Sequence, residues 1–220
     1  MSLSRLMPPP GIAWRWTALL LCLTLAGCAS DQKRERSEQA GALKPGDLEA
    51  AGIAFITPST ITGQEQEKQA LAMIFTDILA RERPKLPLVK LAETLGAINR
   101  AGLTDTYTKM YDDYRDTGLF RAEALKRIAG AAGTRYVGQL KLQKFSQFSK
   151  TRFNFLGFRF VETQVGDVRL FFQVWDSADG TIAWEGMQER TLSTEGIREK
   201  PILQHTIFEA ATQDLINRLP

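Results

Sequence analysis

The first 27 residues differ so strongly from the rest of the chain that the fold must be built without them. Arg5 and Arg15 supply positive charge, residues 17–26 are almost wholly apolar, and no acidic residue occurs before Asp31. This order is typical of an export signal. As a helix, residues 17–26 would rise only about 15 Å, roughly half the hydrocarbon thickness of a bilayer, so they are too short to span a membrane.

The leader ends at Leu25-Ala26-Gly27-Cys28, in which small residues precede a cysteine. This motif resembles the lipobox of bacterial lipoproteins. The resemblance implies cleavage between Gly27 and Cys28 and acylation of Cys28, for example by palmitate. Two or three acyl chains, each contributing roughly 0.8 kcal/mol per buried methylene, hold a protein on a membrane essentially permanently.

The residues after the cysteine bear on which membrane holds the protein. By resemblance to lipoprotein sorting rules, an acid directly after the cysteine implies retention in the inner membrane. Ala29 and Ser30 stand there instead. We therefore expect a lipid-anchored protein on the outer membrane, facing the periplasm.

The cysteines also determine how the mature chain can be stabilised. Cys22, the only other cysteine, leaves with the leader, and an acylated Cys28 has no free thiol. No disulfide, thiolate metal site or other cofactor is therefore expected, although the periplasm would allow a disulfide. Stability must come from a hydrophobic core, for which about 170 residues are enough.

The charge of the mature chain argues against nucleic acid as a partner. Two of the 28 basic residues and none of the 25 acidic ones lie in the leader, so 26 basic and 25 acidic residues remain. Binding to phosphates needs a concentrated positive face, which a nearly neutral chain does not indicate.

The mature chain divides into a polar segment and one domain. Residues 28–48 contain the lipidated cysteine and then a charged stretch with Pro45-Gly46 and no apolar periodicity, which predicts a flexible tether. Residues 49–220 carry the periodic patterns of a folded domain. We expect neither an internal repeat nor a second core.

Hydrophobic spacing predicts the elements of this domain. Short strands are expected at 53–56 and 86–91, and longer strands from 136 with one wet face, from 168, and from 181 after a turn at 176–180. Helices are expected from 65 to before Pro84, from 91, and at 104–117, 121–132 and 202–219. This order predicts a single α/β domain with a mixed sheet covered by helices.

The residues that could carry chemistry do not combine into a catalytic or metal site. His205 has no second histidine or cysteine beside it, and a role on a helix face is expected. Asp112, Asp113 and Asp116 lack the spacing of a calcium loop, so a solvated face is expected. Tyr107, Tyr111 and Tyr114 form a stripe typical of core or partner contacts.

One segment, residues 144–160, holds six of the twelve phenylalanines, interleaved with basic residues. One interpretation is a long hairpin whose inner face packs on the core. The other is an exposed aromatic and cationic surface for a protein partner or a lipid surface. The candidate residues are Phe145, Phe148, Arg152, Phe153, Phe155, Phe158, Arg159 and Phe160.

The order of elements resembles the group formed by the N-terminal domain of TolB, the periplasmic part of the curli secretion lipoprotein CsgG, and LpoB, the activator of penicillin-binding proteins. The residues that carry the resemblance span roughly 50–218: Gly52-Ile53-Ala54-Phe55, residues 71–79, Leu88-Val89, residues 129–137, and residues 170–180 with Thr181-Ile182. The chain departs from the group in residues 104–120, which are longer than expected, and in lacking a clear pair of membrane hairpins as in CsgG.

The resemblance implies a non-enzymatic binding or accessory module for an envelope protein in cell-wall synthesis or secretion. The group's domains are not enzymes, so no catalytic residue is carried over to this chain. The alternative is an oligomeric component of an envelope assembly or secretion complex of the CsgG kind. The expected partners are the membrane, an envelope protein and, in the alternative, further copies of the chain.

We predict that replacing Cys28 by alanine gives an uncleaved, unacylated precursor, because the thiol is the group that is acylated before cleavage. Metabolic labelling with a fatty acid and the mass of the extracted protein measure both properties. A mature, acylated and membrane-bound Cys28→Ala protein would contradict the lipoprotein interpretation.

Overall fold

The structure is a computed structural model and describes residues 33–60, 65–155, 158–196 and 204–220. Along the chain, its elements are β1 (Lys33–Ala40), α1 (Asp47–Ala51), β2 (Ile53–Phe55), β3 (Ser59–Thr60), α2 (Glu65–Glu82), β4 (Leu88–Val89), α3 (Leu91–Arg100), α4 (Thr104–Thr117), α5 (Ala122–Ala132), β5 (Tyr136–Phe155), β6 (Phe158–Asp176), β7 (Thr181–Gly196) and α6 (Gln204–Ile216). The chain forms a single α/β domain, as the sequence predicts.

The strands form one mixed sheet in the order β1-β7-β6-β5-β2-β4, with β3 paired to β5 beside this path. β2 runs parallel to β4 and β5, whereas β5, β6, β7 and β1 pair antiparallel in turn. The long β5–β6 hairpin therefore lies at the centre of the sheet. Short parallel strands flank it on one side, and a meander flanks it on the other.

One face of the sheet packs against α2 and α6. Phe172 of β6 stacks on Phe55 with ring centroids 5.6 Å apart, and Phe75 of α2 lies 4.6 Å from Phe172. Gly138 of β5 makes room for these rings, because a Cβ there would lie 3.2 Å from Phe55 and Phe172. The aromatic cluster thus holds α2, the short parallel strand β2 and the hairpin together.

The opposite face carries a second buried cluster, so the expectation of no second core is wrong. Helices α3, α4 and α5 cover it, with Leu125 and Ile128 packed near Val137 and Trp175. Val137 is completely buried, and Gln139 is 1% exposed. The expectation of one wet face on β5 is therefore wrong over these residues, because helices lie on both sides of the sheet.

The prediction of a flexible tether over residues 28–48 is also wrong from Lys33 onwards, where the structure begins to describe the chain. β1 pairs with β7 from Lys33 opposite Thr191 to Ala40 opposite Trp184. An edge strand is held through its backbone and can carry charged side chains, so it shows no apolar periodicity. The folded domain therefore begins before residue 49, and Leu43 is also buried in its core.

The remaining predicted elements are confirmed within the described residues, except that β6 begins at Phe158, ten residues before the predicted start at 168. α4 has the predicted bounds, and α5 starts one residue late and ends at Ala132, followed by the cap Gly133, whose φ of 73° suits glycine. The second strand is shorter than predicted, because α3 already begins at Leu91. In the terminal helix, Ile207, Phe208, Ala211 and Leu215 are all buried, as expected.

We predict that Phe172→Ala lowers the free energy of unfolding by about 3–5 kcal/mol, because it removes the ring that contacts both Phe55 of β2 and Phe75 of α2. Urea unfolding of the unacylated mature chain measures the change. The matched control is Met73→Ala, since Met73 is 64% exposed on α2 and its loss should change stability by about 0.5 kcal/mol or less. Equal effects of the two substitutions would contradict the predicted core.

Candidate functional site

The three tyrosines of α4 line a pocket between this helix and the sheet. Tyr107, Tyr111 and Tyr114 are spaced by four and three residues, so they lie on one side of the helix. Met110 on the next face is buried in the second core and holds the helix against the sheet. The stripe therefore combines ring packing with hydroxyl groups that point towards the strands.

Thr57, directly after β2, is the first hydrogen-bonding partner of this stripe. Its backbone N–H donates to the Tyr107 hydroxyl at 2.9 Å, and the Tyr107 hydroxyl also lies 2.9 Å from the Thr57 Oγ1. The Tyr111 hydroxyl donates to the Thr57 carbonyl. The network fixes the helix relative to the segment that leaves the parallel strand.

A row of polar side chains crosses the sheet beneath the tyrosines. Gln139, Gln173 and Glu185 face one another on β5, β6 and β7, and Gln173 donates to Glu185. The Tyr111 hydroxyl lies 3.3 Å from the Gln139 Oε1, and the Tyr114 hydroxyl lies 3.5 Å from the Gln173 Oε1. Gln139 is buried, whereas Gln173 and Glu185 are half-buried. The Gln139 Nε2 has no hydrogen-bond partner among the described residues, so the row is only partly satisfied.

The aromatic part of the site rests on the second core. Tyr114 stacks on Phe120 with centroids 4.3 Å apart and planes at 17°. Phe120 in turn meets the edge of Trp175 at 5.1 Å. The rings are thus held by packing, which gives the pocket a floor of defined shape.

The pocket itself has a volume of about 650 Å³, which lies within the range of small-molecule and anchor-residue sites. Its lining is rich in hydroxyls and has three basic side chains, Lys68, Arg115 and Lys141. Arg115 is paired with Asp112 at 3.0 Å and with Asp116 at 3.1 Å. Lys141 lies half-buried on β5 and makes no ion pair with any residue that the structure describes.

Burial raises the pKa of every tyrosine in the chain. The effect is largest for Tyr111, whose pKa lies well above 10.0, and it also raises the pKa of Tyr107 and Tyr114. Tyr136, at the other side of the sheet, has a raised pKa for the same reason. At neutral pH the pocket therefore presents protonated phenols, which can donate and accept hydrogen bonds.

The acidic residues of α4 do not gather around a common point. Asp112 and Asp116 both pair with Arg115, while Asp113 pairs with Arg121 at 2.7 Å. Within the described ranges, no group of three or more histidine, cysteine, aspartate or glutamate residues could hold a metal ion. His205 lies exposed on α6, 3.3 Å from Glu209, in the expected helix-face position.

The structure tests only part of the predicted partner surface on the Phe-rich segment. Phe145 is partly buried and packs on Phe208 at 5.3 Å, so it belongs to the edge of the core and not to an exposed surface. Phe148 is 43% exposed. The side chains of Arg152, Phe153, Phe155, Phe158, Arg159 and Phe160 lie outside the described residues, as do Gly27 and Cys28.

Two smaller grooves border the exposed side of α2. One, of about 480 Å³, lies between α2 and α3, and the other, of about 410 Å³, lies between α2 and α6. Met73 lines both grooves, and Leu95 of α3 lines the first; they are 64% and 37% exposed. In the part of the chain that the structure describes, no helix is long and apolar enough to cross a membrane.

Sequence reasoning found the tyrosine stripe but missed its partners on the sheet. Gln139 and Lys141 look like the wet positions of an alternating strand, and Thr57 looks like a simple strand end. One signal in the sequence could have indicated these partners. Gln139 and Lys141 occupy alternate positions of one strand, and the same chain has a tyrosine stripe that could face them. Only the fold shows that the two face each other.

Comparison with known proteins gives weak likenesses only. No protein-family model and no curated protein matches the chain. Similar solved structures include the PelC dodecamer from Paraburkholderia phytofirmans, at 14% identity and a TM-score of 0.48, covering 85% of this chain and 97% of that one. A dodecamer of a PelC variant from the same organism has 13% identity and a TM-score of 0.46, with 87% and 98% covered.

The lipoprotein GNA1162 from Neisseria meningitidis is a further similar structure, at 13% identity and a TM-score of 0.45, covering 76% of this chain and 99% of that one. At these scores the likenesses assign neither an activity nor an oligomeric state to the chain. None of these three descriptions names TolB, CsgG or LpoB, so the resemblance to that group stays a prediction.

We predict that the tyrosines of the folded chain ionise only above pH 10.0, their ordinary pKa. A raised pKa in the folded state means that folding favours the protonated phenols. The buried protonated tyrosines therefore contribute their full stability to the folded state below pH 10.0, and this contribution is lost as the pH rises through the folded pKa values. Phenolate absorbance of the folded and urea-unfolded chain measures this. Superimposable titrations would contradict the burial of the stripe, and Tyr111→Phe should remove the component that ionises last.

Proposed function

We propose that the chain is an outer-membrane lipoprotein, anchored at Cys28 and facing the periplasm, whose domain is a non-enzymatic binding module for an envelope protein in cell-wall synthesis or secretion. The leader and the Leu25-Ala26-Gly27-Cys28 motif support the location. The tyrosine pocket is the observation that carries the binding role.

Three properties of the pocket favour recognition of a partner. Tyrosine rings supply a large contact area with few rotatable bonds and are enriched at protein interfaces. Those of this pocket are held rigidly by Phe120 and by Thr57. The ammonium group of Lys141, half-buried and without an ion-pair partner among the described residues, would be complemented by an acidic group of a partner.

The ionisation of the tyrosines supports binding over catalysis. A general acid or base works best with a pKa near the operating pH. Burial moves the pKa of Tyr107, Tyr111 and Tyr114 in the opposite direction, away from neutrality. We therefore assign these hydroxyls to hydrogen bonding with the partner and with Thr57.

Site-directed photo-crosslinking in intact cells tests this proposal. A photoreactive residue at Thr108, exposed on the rim of the pocket, should capture one envelope protein. The same residue at Lys126, exposed on α5 outside the pocket, should not. We expect Lys141→Glu to reduce capture at least several-fold, because it replaces the cation with a repelling charge.

The matched control is Lys109→Glu, which makes the same charge change on α4 at an exposed position outside the tyrosine pocket. It should leave capture unchanged. Equal capture from Thr108 and Lys126, or capture that does not depend on Lys141, would contradict the proposed binding site.

The second candidate is an oligomeric component of an envelope assembly. The observation that favours it is the exposure of Met73 and Leu95 beside the same groove, because exposed apolar patches mark contacts between proteins. Size measurement of the detergent-extracted protein distinguishes the candidates. A monomer at micromolar concentration would count against the assembly, and a closed ring would favour it.

A further inference from the structure

The register of the sheet places the start of β1 at the same level as the base of the long hairpin. Lys33 lies opposite Thr191, Thr191 opposite Asp167, and Asp167 opposite Ser146. We call this row of four residues the base row. It crosses all four antiparallel strands, so distances along the strands can be compared from it.

The hairpin continues well beyond the base row. β5 extends from residue 147 to Phe155, and β6 comes back from Phe158 to residue 166, still paired at Phe155 and Phe158. Nine residues in each strand correspond to about 30 Å at 3.3–3.4 Å per residue. Phe145 and Val168, next to the base row, are the outermost residues of β5 and β6 in the described core.

The chain enters β1 from the side towards which this hairpin projects. β5 and β7 run towards the hairpin end, and β1 runs antiparallel to β7, so Lys33 lies at the end of β1 that is nearer the hairpin end. Cys28 is five positions before Lys33. Even a fully extended chain of five residues reaches at most about 18 Å.

With the strands upright on the membrane, these two lengths bring the end of the hairpin to the membrane. An acylated Cys28 lies at the membrane surface, at most about 18 Å from the base row, while the hairpin extends about 30 Å on the same side. The far end of an upright hairpin would therefore pass the level of the anchor by about 10 Å. A tilted hairpin would lie along the surface.

The composition of the far end suits a lipid surface. Residues 152–161 include Phe153, Phe155, Phe158 and Phe160 together with two arginines. Aromatic residues bury apolar area at the boundary between headgroups and acyl chains, and basic residues are attracted to anionic headgroups. This part of the chain is also where β5 and β6 extend past the described core.

We infer that the far end of the hairpin, residues 152–155 and 158–161, lies in the headgroup region of the membrane that holds the Cys28 acyl chains. The inference rests on the proposed lipid anchor and goes beyond the proposed function. It assigns the far end of the Phe-rich segment to phospholipid and leaves the tyrosine pocket free for the protein partner.

A single fluorescent label tests the position of the far end. The mature chain has no free thiol once Cys28 is acylated, so an introduced cysteine is the only labelling site. Asn154→Cys places an environment-sensitive dye near the far end, and Ala178→Cys places it at the exposed β6–β7 turn, the opposite end of the sheet. The acylated protein is reconstituted into vesicles of phosphatidylethanolamine and phosphatidylglycerol.

We expect a blue shift of the dye at position 154 and loss of most of its emission to bromine-labelled acyl chains, with neither effect at position 178. Replacing the four phenylalanines of residues 152–161 by serine should abolish both effects while the acyl chains keep the protein on the vesicles. Phe148→Ser is the matched control. It makes the same change, phenylalanine to serine, in the same hairpin but nearer the base row.

The mass of the extracted protein shows whether Cys28 is acylated, and so distinguishes failure of the inference from failure of the proposed anchor. If Cys28 is acylated and the dye at position 154 stays in water, the inference is overturned while the proposed function stands. A dye that is shielded only after an envelope protein fraction is added would also overturn it, in favour of a protein contact. If Cys28 is not acylated, the proposed anchor and the inference both fail.

Discussion

Burial of both faces of the central hairpin is the constraint on which the rest of this structure depends. Over the first part of β5 and the last part of β6, one face packs on the Phe55–Phe75–Phe172 cluster, and the other packs on Val137 and Trp175 with the helices above them. A sheet covered on both sides leaves its backbone few alternative registers, since a shift by one residue would exchange the two cores. The helices, the pocket and the projecting strands all take their positions from this register.

Much of the fold could be predicted because most elements bury one face with a clear period. Leu71, Phe75 and Ile78 lie on a helix, as their spacing indicates, and the turn at 176–180 joins two strands as predicted. The elements β1, α1 and β3 escaped prediction, and so did the second core. β1 is held by backbone pairing at a sheet edge, which leaves no apolar pattern, and the second core arises from helices that return over a strand face whose polar residues look solvated.

Only one part of the candidate site could be predicted, because the site joins segments that are distant in sequence. The tyrosine spacing on α4 is visible in the sequence, whereas the facing positions of Gln139 and Gln173 follow from strand register. An amide in a buried sheet is unfavourable unless it is hydrogen-bonded. Gln173 meets this requirement, because it donates to Glu185 and accepts from the Trp175 indole N–H. The Gln139 Nε2 has no such partner among the described residues, so part of the penalty remains.

The same strand that builds the pocket also determines its distance from the membrane. From Lys141 in the pocket to Phe155 at the far end, β5 is continuous, and its fourteen steps correspond to about 45 Å. If the far end rests on lipid, the pocket stands away from the surface by a length set by paired backbone. The sequence predicts a flexible tether between the anchor and the domain, but β1 pairs part of that segment into the sheet. A rigid spacer holds the pocket at one height and orientation, which reduces the entropy lost when a partner of fixed position is bound.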